Sequence, residues 1–160
     1  ELWKRDDFKV WAKKFFERAV SSFQEAKKAD PTLPNLDTFL TQAQDYLQDS
    51  TERQQKIDAA AAAYRQAVDA QPTFRLARFN LGRMLIALSR PDDAIVELEK
   101  LTEPRDADAP RYLFALATAH VRAGHREEGI KWATDAKQLA ATHGQAELAA
   151  AIERELARLR

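Results

Sequence analysis

His120, His125 and His143 are the three histidines of the chain, and Asp6-Asp7, Asp92-Asp93 and Glu127-Glu128 are adjacent carboxylate pairs. Imidazoles that titrate near neutrality move protons or ligate metals, and paired carboxylates act as acid–base couples or hold divalent cations. The spacing favours neither use. On a helix, His120 and His125 project about 140° apart, too divergent to share a metal. His143 falls near a helix end, where a cation suits the dipole. Asp92-Asp93 and Glu127-Glu128 fall at the first turns of expected helices, where negative charge complements the amino terminus. The chain has no glycine-rich phosphate loop, no Gly-x-Ser-x-Gly elbow and no nucleophile with a companion base. It also has no cysteine, which removes disulfides, thiol nucleophiles and thiolate metal sites. The expectation is a chain that is not an enzyme, with no cofactor and no metal site.

The elements that would position any binding surface are helices. Only four glycines and six prolines punctuate 160 residues, and no β-branched run alternates with period two. Hydrophobic residues make up 45% and charged residues 31%, which places the chain among globular rather than disordered sequences. The formal net charge is zero, so no global field draws it to nucleic acid or an anionic membrane. Charge runs such as Lys13-Lys14 and Lys27-Lys28 read as solvated helix faces. No apolar run approaches the roughly 18 residues of a membrane span, and no signal peptide is visible. The compartment stays open, since cytoplasmic and exported proteins alike lack cysteine. The chain begins with Glu1 and its single methionine is Met84, so it reads as a piece of something longer.

The strongest internal signal is repetition. Phe16, Ala19, Val20, Phe23, Ala26 and Pro31 recur 41 residues later as Ile57, Ala60, Ala61, Tyr64, Ala67 and Pro72. Pro91, Ala94, Ile95, Leu98 and Leu101 follow at 34 residues, and Arg126, Gly129, Ile130, Ala133 and Ala136 at another 35. "FNLGRMLIAL" (79–88) likewise matches "FALATAHVRA" (114–123). The unit is a helix pair of about 34 residues, in which small residues let two backbones approach and large ones fill the gap. Between Pro31 and Ile57 the chain is seven residues longer than its later counterpart. The reading there is one helix over 38–48 capped by Asp37, then a second starting at Asp49 or Ser50, supported by Thr51 and Gln54 at capping-box spacing. Thr73 and Asp108 suit later caps, and Pro91 and Pro110 suit first turns.

This spacing resembles the tetratricopeptide repeat. The best match is 75–108, through Leu81, Gly82, Ala94 and Leu98, followed by 110–143, through Leu113, Leu116, Ala117, Gly124 and Ala136. In the first two copies only the second helix matches well. The resemblance implies an all-α fold, a right-handed α-solenoid of antiparallel helix pairs with about three and a half repeats. Its parts are a half repeat at 8–31, repeats at 36–72, 75–108 and 110–143, and a capping helix at 145–160, all in one domain. His120 stands where the family usually packs a tyrosine, which reads as a core histidine.

The resemblance also implies a concave groove that takes a peptide or protein partner. Carried over residue by residue, the groove is Leu76, Phe79, Asn80, Arg83 and Ile86 in one repeat. In the next it is Arg111, Phe114, Ala115, Thr118, Val121 and Arg122. Asn80 matches the family's backbone-binding asparagine, and the arginines alternating with apolar residues suit an acidic-apolar segment. The basic set that clamps a terminal carboxylate in some relatives is not matched. The competing expectation is structural. Phe8, Trp11, Phe15, Ala19, Phe23 and Ala26 share one face of the first helix, and Phe16 and Val20 widen it. The residues before it are too few and too charged to supply its partner helix, so the Phe8, Trp11 and Phe15 side is left to form a homodimer or to hold a neighbouring domain.

Overall fold

The computed structural model describes residues 6–30 and 35–159, the side chains of 6–11 and 36 excepted. Among the described residues there are seven helices and no strand. They are α1 (Asp6–Ala29), α2 (Leu36–Ala70), α3 (Arg75–Ala87), α4 (Pro91–Glu99), α5 (Ala109–Arg122), α6 (Arg126–Thr142) and α7 (Ala146–Leu159). The chain divides into two compact units, Glu1–Lys56 and Ile57–Arg160. No helix among the described residues is long and apolar enough to cross a membrane.

In the first unit, α1 lies along the beginning of α2. Phe16 stacks on Tyr46 with ring centroids 4.2 Å apart, and Phe23 stacks on Phe39 at 6.0 Å. Ala12 and Ala43 are buried. Lys27 closes the end of α1 with an ion pair to Asp37. Phe16 and Phe23 are thus spent on packing α1 against the 38–48 segment.

The expected break at 49–50 does not occur. α2 continues for 35 residues, about 50 Å at 1.5 Å per residue. The residues read as caps pair within the helix instead. Asp49 forms an i,i+4 ion pair with Arg53, Gln48 donates to Glu52 at 3.0 Å, and the Thr51 hydroxyl donates to the Leu47 carbonyl at 2.8 Å. A polar side chain that finds a partner one turn away on its own helix has no reason to end it. No glycine or proline lies between 36 and 70 to force the issue.

In the second unit, α2 from Ile57 onward is followed by two hairpins and a last helix. α3 packs on α4, α4 on α5, α5 on α6, and α6 on α7. Ala61 and Val68 of α2 join Leu81 and Leu85 of α3, Leu98 of α4 and Leu116 of α5 in one buried cluster. Leu113 and Ala117 of α5, Ala133 and Ala136 of α6, and Ile152 and Leu156 of α7 form a second. Trp132 packs against both and joins them. α7 is the last helix of the stack and packs Leu148, Ile152 and Leu156 into the second cluster.

Glycines mark the tightest approaches. A Cβ at Gly82 would lie 2.6 Å from Cγ of Leu98, so α3 and α4 touch through a missing side chain. In the next hairpin the contact shifts: a Cβ at Gly129 would lie 2.5 Å from Cγ2 of Val121. Gly124 and Gly144 end α5 and α6 at φ +87° and +71°, where a Cβ is strained. Pro91 and Pro110 occupy first turns as expected. Asp108 and Thr73 do not cap. Phe74 precedes α3 and makes no side-chain cap bond, nor does Asp108 before α5. Asp106 takes over the α5 start, its Oδ1 accepting from the Asp108 and Ala109 amides at 3.1 Å each.

One buried ion cluster ties three helices of this unit. Glu97 on α4, 5% exposed, accepts from Arg65 of α2 and from Arg78 of α3, each at 2.5 Å, with Lys100 at 3.4 Å. Arg78 also donates to the Pro72 carbonyl at 2.8 Å. Burial pushes the Glu97 carboxyl up, but the Arg65 hydrogen bond, the Lys100 and Arg65 charges and the Arg78 bond together hold it below its usual value.

Two stability predictions follow from these contacts. Leu98 is fully buried and cannot swing aside, so Gly82→Val lowers the unfolding free energy by about 1–3 kcal/mol. A urea midpoint equal to the parent's would refute the close approach. Glu97→Gln leaves Arg78 buried without its anion and costs about 3 kcal/mol at pH 7. Because the folded carboxyl binds its proton more weakly than the unfolded one, its contribution is complete above about pH 4.3. It is lost as pH falls through the lower folded value. The midpoints of parent and Glu97→Gln should differ widely at pH 7 and converge as pH falls through the lowered folded value of Glu97.

Candidate functional site: the arginine–aromatic face of α3 and α5

α3 and α5 contain five arginines and no carboxylate (RLARFNLGRMLIA and APRYLFALATAHVR), whereas α4 (PDDAIVELE) contains four carboxylates and no base. Net neutrality of the chain thus conceals a sorted charge pattern. Arg78 is consumed by Glu97. The other arginines of the two helices are Arg75, Arg83, Arg111 and Arg122.

Phe79 and Tyr112 are the aromatic centre of this face, with centroids 5.0 Å apart. Arg83 and Arg111 each place a guanidinium 5.6 Å from the Phe79 ring. Arg75 and Arg111 stand 4.9 and 5.2 Å from the Tyr112 ring. The order Arg83, Phe79, Arg111, Tyr112, Arg75 alternates cation and π-face, a stacking worth about 0.5–1 kcal/mol per exposed contact. Asp108 pairs with Arg111 at 3.0 Å, and Asp106 pairs with Arg75. The Tyr112 hydroxyl, acting against burial, and the charges of Asp108 and Asp106 raise the already high pKa of Arg111. The bond from Arg75 outweighs burial and keeps the Asp106 carboxyl below its usual range.

The residues singled out from the sequence fall into three groups. Phe79, Arg83 and Arg111 meet in the stacked layer. Leu76 is exposed, Asn80 half-buried, and no bond of either to another group of the layer is seen. Ile86 and Phe114 are half-buried and pack onto the first and second clusters respectively. Thr118 bonds the Phe114 carbonyl at 2.9 Å, Val121 lies against Gly129, and Arg122 is exposed. Tyr112 and Arg75 were not anticipated. Tyr112 occupies the position that Ala77 holds one repeat earlier, so the signal was a large residue where the repeat has a small one.

Elsewhere, Phe15 is 51% exposed and meets Phe16 edge-on at 5.4 Å. The Phe8 and Trp11 side chains lie outside the described residues. Among the described residues no three His, Asp or Glu side chains group closely enough to hold a metal. The 140° divergence of a continuous helix does not apply to His120 and His125. Their rings lie 5.8 Å apart because α5 has ended before His125 and Gly124 turns the chain.

Residues 49–110 match the family model of the tetratricopeptide repeat. Comparison with curated proteins and with solved structures gives no match.

Proposed function

We propose that this tetratricopeptide-repeat chain is a non-catalytic interaction module that takes a peptide or protein segment across the α3–α5 face. The repeat typically mediates protein–protein interaction. The observation that carries the finer reading is the sorted charge: two neighbouring helices offer arginines stacked on aromatic rings and no carboxylate of their own. A segment alternating acidic and apolar residues satisfies both features. Its carboxylates meet Arg83 and Arg111, and its apolar side chains lie along Leu76, Phe79 and Ile86.

The exposed aromatics of the first unit favour a second use, self-association through α1 and the start of α2. Phe15, Phe39 and Tyr46 are 51, 48 and 38% exposed, a concentration of apolar surface that contact with another copy would cover. Light scattering over a concentration series decides that reading, and a strictly monomeric species at high concentration defeats it.

For the α3–α5 face, panning a display library of random dodecamer peptides on the immobilised protein should enrich acidic-apolar sequences. Arg83→Glu should weaken the enriched peptides at least tenfold, about 1.4 kcal/mol, with the helical circular dichroism and urea midpoint unchanged, since Arg83 is exposed. Peptides that bind Arg83→Glu and Phe79→Ala as tightly as the parent would place the binding surface elsewhere.

A further inference from the structure

His120 is 8% exposed, and neither ring nitrogen has a hydrogen-bond partner among the described residues. An imidazole kept in this way is tolerated as a neutral ring. With a proton it carries two unsatisfied donors and a charge into an apolar site, which the interior resists. The surroundings leave little room to adapt. Next to it in the chain, Val121 lies against the bare backbone of Gly129, so α5 and α6 are already as close as two helices can be at this point.

The turn connects His120 to the next helix by backbone hydrogen bonds. The His125 amide donates to the His120 carbonyl at 2.9 Å, and the His125 carbonyl accepts from the Gly129 amide at 3.0 Å. One residue thus fastens the end of α5 to the first turn of α6. The charged groups that act on His120 are His125 in the turn, Glu99 at the end of α4 and Glu128 in the first turn of α6. None of the arginines of α3 is among them. His125 opposes a second charge 5.8 Å away, while the two glutamates attract one without reaching a ring nitrogen.

We propose that the α5–α6 turn is an acid-sensitive latch, in which a proton on His120 loosens the seat of the end of α5 on α6. Burial first, and then the neighbouring His125 charge, lower the His120 pKa from its ordinary value, with the two glutamates acting the other way. The unfolded chain then holds the proton more tightly than the folded one. Stability is complete above the ordinary value near pH 6.5 and is lost as pH falls through the folded value. This loss sets in below about pH 6.5, whereas that of Glu97 sets in below about pH 4.3. Val121 and Arg122, which follow His120 on the chain, were expected from the sequence in the groove, yet the latch stands whether or not the α3–α5 face binds a partner.

Urea unfolding of the full chain between pH 7.5 and 5.0 tests it. The folding constant of the parent should fall tenfold for each pH unit by which the folded pKa lies below the unfolded one. His120→Phe should abolish that fall, and His125→Gln should keep most of it. A parent whose folding constant is level across this range, or a His120→Phe variant that retains the fall, overturns the latch. Should His120→Phe not fold, NMR titration of the parent serves. A His120 imidazole that titrates below pH 6.5, with the amides of 119–129 shifting in step, supports the latch. Titration at the ordinary value overturns it.

Discussion

The second unit depends on how closely two helix backbones can come together, and that is set by where side chains are small. In α3–α4 the gap is Gly82, filled by Leu98. One repeat later those two positions are Ala117 and Ala133, both buried, and the close contact has moved to Gly129 and Val121. The two hairpins therefore solve one packing problem at different heights. What recurs is a glycine facing a branched side chain at the closest approach, Gly82 against Leu98 and Gly129 against Val121, rather than any one position.

Polar contacts then fix one hairpin on the next. Glu97 gathers arginines from α2 and α3, and the segment between α4 and α5 is held from both sides. From the preceding helix, Arg75 bonds Asp106 and the Pro104 carbonyl. From the following ones, Arg105 grips Asp135 through both guanidinium nitrogens, and Gln145 donates to the Ala107 carbonyl. The Arg105 bond, against burial, holds the Asp135 carboxyl below its usual value. A connection with eight exposed or half-exposed positions could wander. Here it is the best-bonded loop among the described residues, and its Asp106 also starts α5.

Much of this was legible in the residue pattern because repetition reports packing directly. The large–small order in the later repeats gave α3 to α7 with their contacts, and the echo of Phe16 and Phe23 gave the pairing of α1 with the start of α2. The failures share one cause: short polar side chains have several uses, and local sequence does not say which wins. Thr51 and Asp49 look like caps but bond within α2, whereas Asp106, two residues before the expected Asp108, does the capping. The stacked layer at the candidate site was half visible. Phe79, Arg83 and Arg111 came from the repeat register, but Tyr112 departs from that register and Arg75 is brought to it only by the meeting of α3 and α5. The approach of His125 to His120 likewise depends on a single left-handed residue, Gly124.

The sorting of charge between successive helices has a kinetic consequence. A chain with 25 basic and 25 acidic residues exerts no net pull at long range, but α3 and α5 on one hand and α4 on the other form fixed poles. At separations of about a Debye length, roughly 8 Å in physiological salt, an approaching charged segment feels the nearer pole rather than the sum. On the reading proposed for the α3–α5 face, an acidic segment would be oriented before contact, and added salt would slow its arrival at the arginine side more than it hastened departure.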